Sequence, residues 1–571
     1  MSWRTLPTPM GMPTSTSSGP LLGSSAGLLV CTLLLVVTRP CHAYINSGLP
    51  VATHKAWLED MTGQILATSV GDLTPEMLEA APQVMSAWAD NPFDTDRSKS
   101  SSNSAPTMAV ERLMKRLVAE QTATGNSDAA NTYAYNALLH GWARSGEGEY
   151  AAQRAEQILI EMQDRCGAGN ASVQPNTASF RSVLLAWERA SSAASAARKR
   201  QEATHAAQRA QRILEWMISL HETGVNESAT PTSECFDIVM KAWSQTNHAD
   251  APQIIEQLLV RMEQLYREGN TEDVQPQTRH YNHVLRAWQQ TKAKGSAQRA
   301  EEILDHMNKL ATHTDNPIHP DFDSYNACLT AWAGSDENCS ARKAESVLRK
   351  MESAYKHNSN KDLEPDAVMY NIVIDAWAKV TSTAKTNGKL PYESARKILD
   401  RQIDLHEHHG AAKCRPDAYG YTSVIKACDI MAGRSQRQRE KAFRVAETTF
   451  LELCSSDHAA PNHVAYGTML KACAHLLSPG SKRRELISRL VFDKACRDGC
   501  VGAMVINRFK EAASAGLYKE VMGNIKKNSL PYDWTFRVPK SDQALHRQKR
   551  KKNKSLKALH PNINKKTSLK P

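Results

Sequence analysis

No acidic residue precedes Glu59, no cysteine framework is spaced along the chain, and no apolar run is long enough for a comfortable membrane span. No catalytic constellation appears either. The twelve cysteines are scattered, and Cys328, Cys428 and Cys473 stand in helix-core registers as small apolar residues, which argues against a disulfide scaffold. Cys496 and Cys500 lie four apart with no second pair nearby, so they do not suggest a structural zinc. His406-Glu407-His408-His409 falls short of a zincin motif because Gly410 stands where the second histidine is needed. After Cys500 there are no clustered acids for a two-metal site and no deaminase-type zinc signature. The sequence therefore predicts no enzyme, no metal and no cofactor.

Positive charge is also scarce where it would be wanted. The formal net charge is +11, and residues 537–571 carry 12 Lys/Arg against one acid, also +11. Residues 1–536 thus hold 59 charges of each sign (71 less 12, and 60 less 1). The tail "RQKRKKNKSLK" has no apolar pattern and is expected to be disordered.

What is present is a repeat. Seven times a proline is followed five residues later by an aromatic and seven after that by Trp or Cys. The sets are Pro175–Phe180–Trp187, Pro231–Phe236–Trp243, Pro276–Tyr281–Trp288, Pro320–Tyr325–Trp332, Pro365–Tyr370–Trp377, Pro416–Tyr421–Cys428 and Pro461–Tyr466–Cys473. Tyr135–Trp142 is an eighth copy without the proline, and Trp88 marks a degenerate earlier one, with Val110, Leu113, Met114 and Leu117 as its second helix. Rigid spacing inside blocks with variable gaps between them indicates stacked repeats. The aromatic, the Trp and the apolar residues between them share one helix face. A second stripe follows, as in Ala155, Ile158, Leu159 and Met162, in Ala300, Ile303, Leu304 and Met307, and in Ala344, Val347, Leu348 and Met351. Each unit reads as a helical hairpin that buries its apolar face only by stacking. The prolines mostly recur after 44 or 45 residues. The longer gaps, 56 to Pro231 and 51 to Pro416, predict enlarged hairpin loops at Ser191–Gln201 and Thr381–Leu390. Beyond Cys473 the pattern fades, with Leu486, Leu490, Ile506 and Phe509 expected as apolar contacts.

Blocks such as "HPDFDSYNACLTAW", "EPDAVMYNIVIDAWAK" and "RPDAYGYTSVIKAC", each followed by an A-E-x-x-L-x-x-M-like helix, resemble pentatricopeptide repeats. The resemblance covers about Asn131 to Cys500. The period is longer than is usual in that family, and Trp fills a first-helix position commonly occupied otherwise. Tetratricopeptide repeats are the main rival, but their aromatic order is reversed and their Leu-Gly step is absent here. The resemblance implies an all-α, right-handed α-solenoid of stacked hairpins, divided as a targeting peptide (1–43), a linker with a degenerate first repeat (44–104), the solenoid (105–500), capping helices (501–536) and a basic tail (537–571).

The resemblance also implies single-stranded RNA as partner, read about one base per repeat. Family positions carry over as pairs: Asn136 with Asn176, Arg181 with Thr232, Asp237 with Gln277, Asn282 with Asp321, Asn326 with Asp366, Asn371 with Asp417, and Thr422 with Asn462; Gly467 has no clear partner. The implied reading is a pyrimidine, two unassigned bases, then U, U, U and A. Asp, Asn or Thr just before a helix is equally what an N-cap requires, and both roles can coexist. One turn beyond the base-reading position stand Lys241, Arg286, Lys426 and Lys471, candidate phosphate contacts, or else a solvated charged face. RNA-processing enzymes or ribosome-associated proteins are further expected partners, with no small-molecule substrate and a monomeric chain. The other use of the same architecture is a protein–protein scaffold.

The N-terminus reads as a secretory-type signal peptide, with an apolar run from Ala26 to Val37 and Cys41 and Ala43 before a cleavage ahead of Tyr44. The aromatic after cleavage resembles plastid signals of algae with secondary red-type plastids. The alternatives are the mitochondrion and the secretory pathway. Sequons at Asn170, Asn226 and Asn338 would carry glycans in an oxidising lumen.

Overall fold

The computed structural model describes residues 51–90, 104–268, 272–291, 293–312, 318–358, 361–380, 390–523 and 530–539. The expected targeting peptide, the enlarged segment at 381–389 and almost all of the basic tail lie outside them. Among the described residues there are 21 α-helices, a few single-turn 3-10 segments and no strand. The fold is an all-α helical-repeat solenoid.

Two compact units divide the chain, residues up to Arg189 with 223–229, and residues 190–222 with 230 onward. The first holds α1 (Val51–Ala67), the hairpin α2 (Pro75–Ala89) and α3 (Ser104–Thr124), the hairpin α4 (Thr132–Arg144) and α5 (Glu149–Gly167), and α6 (Thr177–Ala196) as far as Arg189. The second unit begins with α7 (Arg200–Glu222). Its hairpins are α8 (Ser233–Ser244) with α9 (Ala251–Arg267), α10 (Thr278–Gln290) with α11 (Ser296–Leu310), and α12 (Phe322–Gly334) with α13 (Ser340–Asn358). Then come α14 (Ala367–Ala378) with α15 (Pro391–His409), α16 (Ala418–Asp429) with α17 (Gln436–Ser455), and α18 (His463–Leu476) with α19 (Lys482–Arg497). The helices α20 (Ala503–Ala512) and α21 (Ala515–Met522) close the series.

Most first helices start where the sequence stops the preceding chain and supplies a cap. Asn131, Asp321, Asp366, Asp417 and Asn462 have extended backbone, and their side chains accept N–H bonds from the first helical turn. Each such cap contributes about 1 kcal/mol. Behind the cap, Tyr135, Trp142, Phe180, Trp187, Phe236, Trp243, Trp332, Tyr370 and Trp377 are all buried. The predicted second-helix stripes from Ala155, Ala300 and Ala344 are buried along their whole length, as are Trp88 and its partners Val110, Leu113, Met114 and Leu117. Within each unit the first helices pack side by side, whereas the second helices touch one another little.

The tryptophan has a polar reason to be there. The indole N–H of Trp187 donates to Glu156 (3.0 Å), that of Trp243 to Gln211 (3.0 Å), that of Trp288 to Glu256 (3.3 Å) and that of Trp377 to Glu345 (3.2 Å). In each case the acceptor is the polar residue of the second-helix Ala-Glu step, or its equivalent, one repeat earlier. The basic residue just before that step reaches back in turn: Arg154 to Glu111 (2.7 Å), Arg299 to Glu256 (3.1 Å) and Lys343 to Glu301 (3.0 Å). A Trp buried with its N–H paired fills a core without a desolvation penalty. Where Cys428 replaces Trp, Arg396 replaces the acceptor and bonds instead to Thr449 and Glu452 of α17.

Two expectations are corrected. Ser191–Gln201 is not an enlarged loop: α6 runs on to Ala196 and α7 begins at Arg200, so the extra residues lengthen both helices. The Ala-rich run "ASSAASAARKRQEATHAA" favours helix over loop, and Ser191 and Ser195 hydroxyls tie the extension to the carbonyls of Ala242 and Gln245. Leu486 and Leu490 are exposed, at 59% and 56%, whereas Ile506 and Phe509 are buried as expected. On α19 the inward face is Ser488, Val491, Phe492 and Ala495, so the helix turns the two leucines outward.

Candidate nucleic-acid interface

The first residue after each buried aromatic and the residue capping the next first helix come from separate repeats, about 40 residues apart in sequence. The fold brings three of the predicted pairs into direct contact. Asn136 Nδ2 donates to Asn176 Oδ1 at 3.1 Å. Asn282 Nδ2 lies 3.0 Å from both Asp321 oxygens. Asn371 Nδ2 lies 3.1 and 3.0 Å from those of Asp417. The helix cap and the pairing use the same side chain, since Asp321 also accepts from Ser324 N and Asp417 from Gly420 N.

Asn326 with Asp366, Thr422 with Asn462, and Asp237 with Gln277 are not joined in this way. Asn326 Oδ1 accepts from Thr330 Oγ1 of its own helix (3.4 Å), while Asp366 caps α14 through Met369 N. Thr422 donates to its own helix at Ala418 O (2.6 Å), and Asn462 caps α18 through Val464 and Ala465 N. Asp237 turns to His283 (3.0 Å) and Arg279 (3.8 Å) rather than to Gln277. Burial opposes its ionisation, but the His283 hydrogen bond and the nearby Arg279 guanidinium hold its carboxyl below the usual range. Gly467 is buried, and a side chain there would meet Met504 of α20.

Residues 264–335 match the family model of the pentatricopeptide repeat domain. The match spans α10, α11 and α12, the stretch that contains the Asn282–Asp321 pair. The chain carries a pentatricopeptide repeat domain in this stretch. No curated protein matches it. Pentatricopeptide repeat proteins are generally RNA-binding, organellar and non-catalytic.

Among the candidate phosphate-binding cations, Lys426 and Lys471 form ion pairs. Lys426 pairs with Asp375 at 2.7 Å and Lys471 with Asp429 at 2.6 Å, each bridging adjacent first helices. Burial pushes the Asp375 carboxyl up, but the bonds to Lys379 and Lys426 outweigh it and hold the group below its ordinary value. Lys241 and Arg286 are exposed. The sequence reasoning missed one class of residue. Tyr133, Val368, Tyr419 and Val464 are 50%, 59%, 55% and 40% exposed, each two residues before a buried aromatic. An apolar residue in the first turn, off the buried stripe, is the signal that would have found them. Exposed apolar faces beside hydrogen-bonding side chains suit the stacking of a splayed base.

Proposed function

We propose that this protein binds single-stranded RNA in an organelle, with base preference and without catalysis of its own, and thereby stabilises, processes or promotes translation of a transcript. The observation that carries the reading is the Asn–Asx pairing between consecutive repeats. An Asn whose Nδ2 gives one hydrogen to the capping carboxylate keeps its second hydrogen for a ligand. Because the pair is already formed, less side-chain entropy is lost on binding. The exposed Tyr133, Val368, Tyr419 and Val464 supply neighbouring apolar surface. Phosphate attraction draws on Lys241, Arg286, Lys426, Lys471 and the basic tail, and Lys426 and Lys471 leave their carboxylates to contribute.

Delivery to a plastid through the signal peptide is the localisation we favour over the mitochondrion or the secretory pathway. One feature supports a destination other than a glycosylating lumen. Asn226, the acceptor of the second sequon, is 2% exposed, and its Nδ2 donates to Pro175 O at 2.8 Å. A glycan on that nitrogen has no room in the fold.

The test is selection from random RNA at near-physiological salt, on the full chain and on a chain ending at residue 539. A U-rich core ending in A, weakened by Asn282→Ala, supports base reading by the repeats. Enrichment of no sequence points to backbone binding. Salt-sensitive binding that vanishes with the tail would overturn the reading in favour of a protein–protein scaffold.

A further inference from the structure

The three repeats in which Asn follows the buried Tyr and Asp caps the next helix (Asn282, Asn326 and Asn371) should behave alike, yet only Asn282 and Asn371 donate to the capping Asp, and the Oδ1 atoms of all three have different surroundings. Two neighbours differ among them: the residue one turn on in the same helix (Arg286, Thr330 and Asp375), and the third residue of the following first helix, just before its aromatic, which is Ser324 after Asn282, Met369 after Asn326 and Gly420 after Asn371. Asn136, capped by Asn176, offers a fourth comparison, with Ser179 in that place.

Where the residue is serine, one network forms. Ser324 Oγ lies 2.6 Å from Asn282 Oδ1 and 2.9 Å from Asp321 Oδ1, and accepts from Asp321 N at 3.2 Å. Ser179 repeats this with Asn136 at 2.6 Å, Asn176 Oδ1 at 3.2 Å and Asn176 N at 3.1 Å. A hydroxyl has one proton, and the shorter contact in both cases is to the base-reading Asn. The Asn amide is thereby oriented with Oδ1 toward the serine and Nδ2 toward the cap. One N–H and one lone pair remain to meet a base edge, the donor–acceptor combination that a uracil edge complements. Both serines are fully buried, whereas Asn136 and Asn282 are half-buried.

With Gly420, the Asn moves inward. Asn371 is 7% exposed, and its Oδ1 is buried without a hydrogen-bond partner among the described residues. That oxygen lies 2.8 Å from where a Cβ of residue 420 would stand, so Asn371 occupies space that a side chain would take. With Met369, which has no hydroxyl, Asn326 turns to Thr330.

We propose that the third residue of each first helix is a specificity-determining, positioning residue that sets how the base-reading Asn of the preceding repeat is presented. Repeats followed by Ser179 or Ser324 discriminate sharply. Those followed by Met369 or Gly420 accept alternatives. This rests on the RNA-reading function above.

The experiment measures binding of the full chain to RNA oligonucleotides carrying each of the four bases at the positions assigned to Asn282, Asn326 and Asn371. A preference for uracil of about tenfold is expected opposite Asn282, one oriented hydrogen bond's worth, and about threefold or less opposite the other two. Ser324→Ala lowers the first preference to the level of the others, and Ser324→Thr, which keeps the hydroxyl, retains it. Gly420→Ser displaces the flexible end of Asn371 outward and raises the preference opposite it, whereas Gly420→Ala raises it less. Equal discrimination at the three wild-type positions, or a Ser324→Ala effect identical for all four bases, overturns the proposal while leaving RNA reading intact. Absence of any base preference in the wild type overturns both.

Discussion

Trp377 donates its indole N–H to Glu345 at 3.2 Å, across the boundary between two repeats, and Glu345 also holds Arg349 and Arg401. Trp332, at the same register one repeat earlier, has its N–H buried with no partner among the described residues. Instead Lys343 lies over its ring, at 5.6 Å from the centroid.

These two tryptophans should respond differently to the same change. Trp377→Phe removes a satisfied bond and should lower stability by about 1–2 kcal/mol more than Trp332→Phe, which removes an unsatisfied group along with a similar volume. Urea denaturation of the two variants measures the difference. Equal losses would mean that ring volume alone matters.

The buried pair Arg116–Glu120 (2.7 Å) ties α3 to the turn after α1. Glu120 accepts from Gly71 and Leu73 N, and Arg116 donates to Thr68 and Ser69 O. Glu120→Ala leaves the guanidinium buried without its carboxylate and should cost about 3 kcal/mol. Burial raises the Glu120 pKa, but the backbone N–H bonds and Arg116 outweigh it, so the folded value is depressed. Its contribution is therefore present above the unfolded carboxyl value of about 4.5 and is lost as pH falls through the lower folded value. Amide hydrogen exchange of residues 68–73 reports this locally.

His280 is fully buried. Its Nδ1 accepts from Gln277 N at 2.9 Å, and its Nε2 faces Ser233 O at 3.0 Å, which together specify the neutral form protonated at Nε2. Burial is the main cause that lowers its pKa to about 4. The unfolded chain binds a proton near pH 6.5, so the native state is penalised progressively from about pH 6.5 down to about pH 4, by on the order of 3 kcal/mol at most. His280→Gln should flatten the pH dependence of the melting temperature across that window. An unchanged slope would place the titration elsewhere.

Asp375 holds both Lys379 and Lys426. Asp375→Asn should release Lys426 toward solvent, tightening RNA binding and steepening its logarithmic salt dependence by about 0.7, one phosphate contact. An unchanged slope would return Lys426 to a solvated surface role.

The repeat register, the helical hairpins and most of the core were legible in the residues themselves. Spacing between Pro, aromatic and Trp is a local property, and a 3.6-residue period turns it directly into a buried face. The Asn136–Asn176, Asn282–Asp321 and Asn371–Asp417 pairs were also legible as positions, from the family pattern. Their chemistry was not. Asn282, Asn326 and Asn371 stand in the same register, yet Asn282 meets Ser324, Asn326 meets Thr330, and Asn371 fills the space beside Gly420.

The sequence by itself determined that apolar stripes recur and must stack, because an amphipathic hairpin cannot bury its face alone. Tertiary structure decided everything that depends on a partner some 30 to 50 residues away: that Trp377 needs Glu345, that Lys426 is neutralised by Asp375, that Asn226 is buried under Pro175 and that Leu486 and Leu490 face outward. Apolar burial is non-directional and survives small errors in placement. A hydrogen bond or ion pair depends on distances of a few tenths of an ångström, which no periodicity along one chain can specify.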